Sequence, residues 1–94
     1  MSNNDSQKPD GDIFLLSLAK AVSKHREAAG LGMAELAKMA GMARAYLWRI
    51  EHAETLPSLR NLARLAVALN LSLSELLDGV DTSEIELRNR RYEN

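Results

Sequence analysis

Apolar residues fall into five clusters along the chain, and their spacing predicts what each one forms. Behind Ile13 they recur every three or four residues, with Phe14, Leu15, Leu18, Ala19 and Val22 on one stripe. That period belongs to an amphipathic helix. Asp12 stands where an N-cap belongs, and Gly30 where such a helix stops. Met33 to Ala40 predicts a second, short helix with Leu36, Ala37 and Ala40 turned inward. After Gly41 a third runs from about Arg44 to His52 and buries Leu47 and Ile50. Pro57 disfavours helix at Leu56, so "ETLP" is a loop. Ser58 then caps "LRNLARLAVALN", whose stripe is Leu59, Leu62, Leu65, Ala66 and Leu69. "SLSE" at Ser72 to Glu75 is a capping-box pattern and opens a fifth helix that ends near Gly79.

Strand signals are scarce, since aromatics are few and no alternating run precedes residue 84. The expected fold class is therefore all-α, a compact domain of five helices. The expected organisation is a disordered arm over 1–11, a domain over 12–79 and a tail over 80–94. The tail admits three readings: Ser83 with Glu86 can start a helix, Ile85 and Leu87 alternate as in a strand, and chain ends often fray.

Composition narrows the chemistry. The 94 residues suffice for one domain and one modest core. The absence of cysteine excludes disulfides and thiolate metal sites and fits a reducing compartment. The first eleven residues, "MSNNDSQKPDG", hold no apolar run of the kind a secretory signal needs. No apolar stretch approaches the roughly 20 residues of a membrane span. A cytoplasmic protein without membrane contact is the expectation. The two histidines, His25 and His52, fall on different helices and lack metal-ligand spacing. Gly30, Gly32 and Gly41 form no phosphate loop, and the serines form no recognisable triad. No metal, cofactor or enzymatic activity is expected.

Charge sharpens the picture only locally. The formal net charge is −1, against the strongly basic balance common in nucleic-acid modules. Yet from Leu36 to Ile50 every charged residue, Lys38, Arg44 and Arg49, is positive. The acids gather in the termini and flanks.

That basic segment lies within "MAELAKMAGMARAYLWRIEH", Met33 to His52. Two short helices that cross steeply need a small residue where their backbones approach, and Ala37 supplies one. The tight turn between them needs a residue tolerant of positive φ, and Gly41 supplies that. Leu36, Met42, Leu47 and Ile50 wedge the pair against the rest of the core. With "HREAAGLG" before it and "PSLRNLARLAVALNLSLSELL" after it, the pattern resembles the lambda-repressor-like (Cro/Xre-type) helix-turn-helix family of DNA-binding proteins. The resemblance covers about residues 15 to 78. It implies double-stranded DNA as partner, transcription regulation as function, and an ion pair between Arg26 and Glu51. It also exposes departures. Gly32 and Met33 stand where the family carries Ser or Thr followed by Gln, Ala43 replaces a common Ser or Thr, and Glu54 would face phosphates.

In this family the third helix enters the major groove. With Leu47 and Ile50 inward, Arg44, Ala45, Trp48 and Arg49 take the outer side, with Ala43 at the groove-facing entry and Met33 at the start of the second helix. Arg44 can present its fork to guanine, and Ala45 can meet a thymine methyl. Trp48 can lie on the sugar-phosphate backbone, stack on Arg44, enter a protein interface, or be partly buried. Homodimer contacts are expected from Leu73, Leu76, Leu77, Val80, Ile85 and Leu87, which exceed what a small core needs; the alternative is that the fifth helix simply closes the monomer core. The competing reading is a protein-interaction module of the same fold, with a protein partner docked around Trp48 and Met42.

Overall fold

Each of the five apolar clusters forms a helix: α1 (Ile13–Ala28), α2 (Met33–Ala40), α3 (Arg44–Glu51), α4 (Leu59–Ala68) and α5 (Leu73–Leu77). The computed structural model describes residues 12–87, which hold no strand. The expected arm over 1–11 lies outside the described residues, as do residues 88–94 of the tail. No helix among the described residues is long and apolar enough to cross a membrane.

The caps read from the sequence are in place. The Asp12 carboxylate accepts the Leu15 N–H at 3.0 Å. The Ser58 hydroxyl accepts that of Asn61 at 3.0 Å. Ser72 and Glu75 close a reciprocal box, with the Glu75 N–H donating to the Ser72 hydroxyl at 3.0 Å and the Ser72 N–H to the Glu75 carboxylate at 2.8 Å. Each satisfies donors that a helix start leaves orphaned, and each contributes about 1 kcal/mol.

The first four helices also stop by a common device. A residue with positive φ turns the chain, and the next N–H donates back to the carbonyl five residues earlier. Gly30 turns α1 (Leu31 N–H to the Arg26 carbonyl, 3.2 Å), and Gly41 turns α2 (Met42 to Ala37, 3.0 Å). Ala53 turns α3 (Glu54 to Arg49, 2.9 Å), and Asn70 turns α4 (Leu71 to Ala66, 2.8 Å). Ala53, at φ 57°, is the costly one, since a Cβ in this region clashes with the following carbonyl. Its side chain is compensated by burial, packed with Leu15 and Ala19 in a small cluster beneath α1.

The main core is assembled from all five helices. Leu18 and Val22 of α1, Leu36 of α2, Leu47 and Ile50 of α3, Leu65 of α4 and Leu76 of α5 are sealed from solvent. Ala37, Ala40 and Ala66 sit among them as small residues. Helix α2 packs on both α3 and α4, α1 lies across α3 and α5, and α4 meets α5. This arrangement leaves one side of α3 uncovered.

Several expectations need correction. Leu76 is fully buried, so it closes the monomer core and is no dimer contact. Leu73, Leu77 and Val80 are half-buried against that same core. Leu59 shares the stripe spacing of α4, yet it is 65% exposed, in the wall of an open groove with Phe14, Leu56, Leu77 and Val80. Phe14 is only half-buried, whereas Ala21 is buried. Helices α3 and α4 end one and two residues short of the expected stops. Up to Leu87 the tail is neither helix nor strand. The Asp81 N–H anchors it on the Ser17 hydroxyl of α1 at 2.7 Å. Ser83 then folds its own N–H and hydroxyl back onto the Asp81 carboxylate, at 2.8 and 2.6 Å.

Candidate nucleic-acid interface

Helix α3 is held from three sides. Arg26 of α1 grips Glu51, the last residue of α3, through a two-pronged contact: Nε to Oε2 at 2.8 Å and Nη2 to Oε1 at 3.0 Å. Its remaining prong donates to the Leu31 carbonyl at 2.9 Å, so one guanidinium ties α1, the α1–α2 turn and α3 together. The Glu51 side chain is 3% exposed and that of Arg26 14%. The hydrogen bond to Glu51 raises the Arg26 pKa above its ordinary value, against the opposing effect of burial. From α4, the Asn61 amide donates to the Tyr46 hydroxyl at 3.2 Å. From beneath, Leu47 and Ile50 lock into the core. Neither Tyr46 nor Asn61 carries a sequence signal for this bond, because residues fifteen apart meet only once α3 and α4 are placed.

What remains outward is a short polar and aromatic face. Ala43, Arg44, Ala45, Trp48 and Arg49 are exposed. Ala43 caps α3 with no side-chain hydrogen bond. The positive end of the helix is thus unspent beside Arg44. Glu51 is the one acid of α3, and Arg26 turns it inward, so the exposed charges of α3 are both positive. Met33, expected at a nucleic acid, is half-buried and leans on the core. Met42 likewise packs against the core. Gly32 and Glu35 open α2 through the Gly32 N–H, which donates to the Glu35 carboxylate at 3.2 Å.

Trp48 takes neither the Arg44 stack nor a buried site. It is 38% exposed and stacks on His52, the C-cap of α3, with ring centroids 3.7 Å apart and planes 15° from parallel. His52 has no special signature in the sequence beyond its i+4 spacing from an aromatic residue. Among the described residues no cluster of three or more metal-ligating side chains occurs.

Away from α3, an apolar groove of about 440 Å³ runs between the α3–α4 loop and α5, lined by Phe14, Leu56, Leu59, Leu77 and Val80 among others. Leu56 is 60% exposed. Further along the chain Ile85 and Leu87 are also exposed.

A short helix braced in the core, a glycine turn and a second helix presented outward define the helix-turn-helix class, and the helix-turn-helix family model HTH_3 matches residues 22–76. The chain belongs to that family. It is 39% identical over 59 residues to the ImmF control region 10 kDa protein of Bacillus phage phi105, an overlap that covers 63% of this chain and 66% of the phage protein. The aligned segment thus spans slightly less than two thirds of that relative. Its fold matches the restriction-modification controller protein C.AhdI from Aeromonas hydrophila with a TM-score of 0.65 and 32% identity, over 66% of this chain and 94% of the controller. A crystal structure of the biofilm regulator SinR in complex with DNA matches with a TM-score of 0.60 and 34% identity, over 65% of this chain and 98% of that one.

Proposed function

We propose that the protein is a sequence-specific double-stranded DNA-binding transcriptional regulator that inserts α3 in the major groove. The observation that carries this reading is the outer face of α3: Arg44, Ala45, Trp48 and Arg49 are exposed together, and its only acid is withdrawn by Arg26. A helix-turn-helix brings the first residues of its second helix to the base edges. Arg44 then offers two parallel donors to guanine O6 and N7, Ala45 offers a methyl contact, and Arg49 reaches a base or a phosphate. The names of the relatives, a phage control-region protein and a regulator crystallised with DNA, support the same direction.

The active species in this reading is a homodimer on an inverted repeat, its half-sites one helical turn, about 34–36 Å, apart. The groove beside Leu56, Leu59, Leu77 and Val80 is the surface on which the second copy closes, because four apolar side chains around it stay at least partly exposed. Residues 12–79 form the DNA-binding unit, and Ile85 and Leu87 of the tail extend the same interface.

One observation favours a second reading, a protein-interaction module with weak DNA binding. Glu54 is exposed just beyond α3, where phosphates would pass, and its charge opposes them. Incubating the protein with a random-sequence duplex pool near 0.1 M salt, then sequencing the retained fragments, separates the two. Enrichment of a short inverted repeat supports the regulator. Salt-sensitive binding with no enriched sequence favours the protein partner.

A further inference from the structure

His52 is held in a way that the fold itself does not require. It places both its backbone N–H (3.0 Å) and its ring Nδ1 (2.8 Å) on the Trp48 carbonyl oxygen, while the two rings stack. A carbonyl oxygen only accepts, so Nδ1 carries a proton and Nε2 is the atom left for chemistry. No hydrogen bond among the described residues uses Nε2. Both rings sit on the exposed side of α3 and contribute nothing to either core cluster.

Position on the helix says what Nε2 would meet. Arg44 and His52 lie eight residues apart, roughly 12 Å of helical rise. The major groove is about 12 Å wide. With Arg44 at the base edges, the far end of α3 arrives at the groove wall, where the phosphates run.

We infer that His52 is a phosphate contact made through a protonated ring: Nε2 takes up a proton from solvent as DNA binds and donates it in a hydrogen bond to a backbone phosphate oxygen. Trp48 is the platform for that ring. Its π-face lies parallel beneath the imidazolium and favours the positive charge, and the stack fixes the ring before DNA arrives. This inference rests on the reading of α3 as the groove-bound helix. It also gives Trp48 a role that explains its exposure.

The surrounding charges leave His52 to act alone. Arg49 and Glu54 are the other exposed charges at this end of α3. Of the helices packed on α3, α1 brings His25, Arg26 and Glu27 in its last turns, and Arg26 is committed to Glu51. Helix α2 brings Glu35 and Lys38, and α4, tied to α3 through Asn61, brings Arg60 and Arg64. None of these hydrogen-bonds the His52 ring.

The test uses the duplex selected from the random pool. Affinity of the full chain is measured at about pH 8 and about pH 5.5, the range across which histidine changes charge. The wild type is expected to tighten about tenfold on acidification, as one added charge-assisted hydrogen bond yields. His52→Gln is expected to abolish that response. His52→Phe, which keeps the stack but has no nitrogen, should also be flat, and should lower the salt dependence at acid pH by about one phosphate contact. His25→Gln, the control for the only other histidine, should respond as the wild type does. Thermal unfolding of each variant separates loss of contact from loss of fold. Specific binding that depends on Arg44 at about pH 8, but whose acid response survives in His52→Gln or is missing in the wild type, overturns the role of His52 alone. Failure of the pool to yield any specific duplex overturns the α3 reading and the inference with it.

Discussion

Cutting the Arg26–Glu51 contact from its two ends should give unequal losses. Arg26→Ala leaves a carboxylate that is 3% exposed with no cation, beside a cavity where the aliphatic stem lay. Breaking a buried pair in this way costs about 3–5 kcal/mol. The lost hydrogen bond to the Leu31 carbonyl places Arg26→Ala near the upper end, about 4–5 kcal/mol. Glu51→Ala is milder. The guanidinium, 14% exposed, keeps the Leu31 carbonyl, has the Glu27 carboxylate 3.9 Å away, and can reach water. Loss of a charged hydrogen-bonded partner under those conditions costs about 2–3 kcal/mol. Domains of this size hold roughly 5–14 kcal/mol in total, so Arg26→Ala sits near the edge of folding. The apolar pair Arg26→Met with Glu51→Leu should recover most of the loss, because desolvating two charges offsets much of their attraction. Urea unfolding followed by helicity, at fixed protein concentration, reads the wild type, each alanine variant, the double alanine variant and the apolar pair. A coupling of at least about 2 kcal/mol in the double-mutant cycle is expected. Equal single losses below about 1 kcal/mol, or strict additivity, would refute the argument that this pair clamps α3.

The other consequences concern the core, one turn and acid. Leu76→Ala should cost about 2–5 kcal/mol in unfolding experiments, as removal of a sealed leucine does, and a loss under 1 kcal/mol would return Leu76 to the surface. Gly41→Ala should cost about 1–2 kcal/mol through backbone strain alone, since φ is +71° and no atom lies within 4 Å of the added Cβ. An unchanged melting temperature would show that the turn relaxes. The Ser72 N–H, more than the Ser72 hydroxyl, holds the Glu75 carboxyl below its ordinary range, and the Ser83 hydroxyl, ahead of the Ser83 N–H, does the same for Asp81. With both folded values depressed, their stabilisation is present above the ordinary carboxylate range and is lost as pH falls through the folded values, below about pH 4. Glu75→Gln combined with Asp81→Asn should flatten that acid limb, which a melting series from neutral to acid pH checks.

The elements that local rules specify were legible in advance. Asp12, Ser58 and Ser72 announce their helices because a cap acts on its own next three residues. The bounds of α2 follow from Gly32 and Gly41 on either side of it. Ala53 escaped because nothing in "HAET" signals a left-handed turn, and the packing of its methyl beneath Leu15 decides the matter. Leu59 misled for the converse reason. Period alone marks it as inward, but whether a neighbour covers that turn depends on where α5 and the α3–α4 loop lie. Leu76 is the same case, as an inventory of leucines cannot tell which of them one core will use. At the site, the outward set on α3 followed from helical period, and the Arg26–Glu51 pair from family resemblance. The Trp48–His52 stack and the Tyr46–Asn61 bond depend on rotamers and on helix placement, which residue spacing leaves open.

The most direct measurement compares wild type and Arg44→Ala on every single-base variant of the selected duplex. If α3 reads the major groove through Arg44, the variant loses about 1–3 kcal/mol on the preferred sequence and becomes indifferent at one guanine of each half-site, while preference elsewhere persists. A loss spread evenly over all sequences would reduce Arg44 to a phosphate contact. Equal affinity and an unchanged preference would contradict the placement of α3 in the groove.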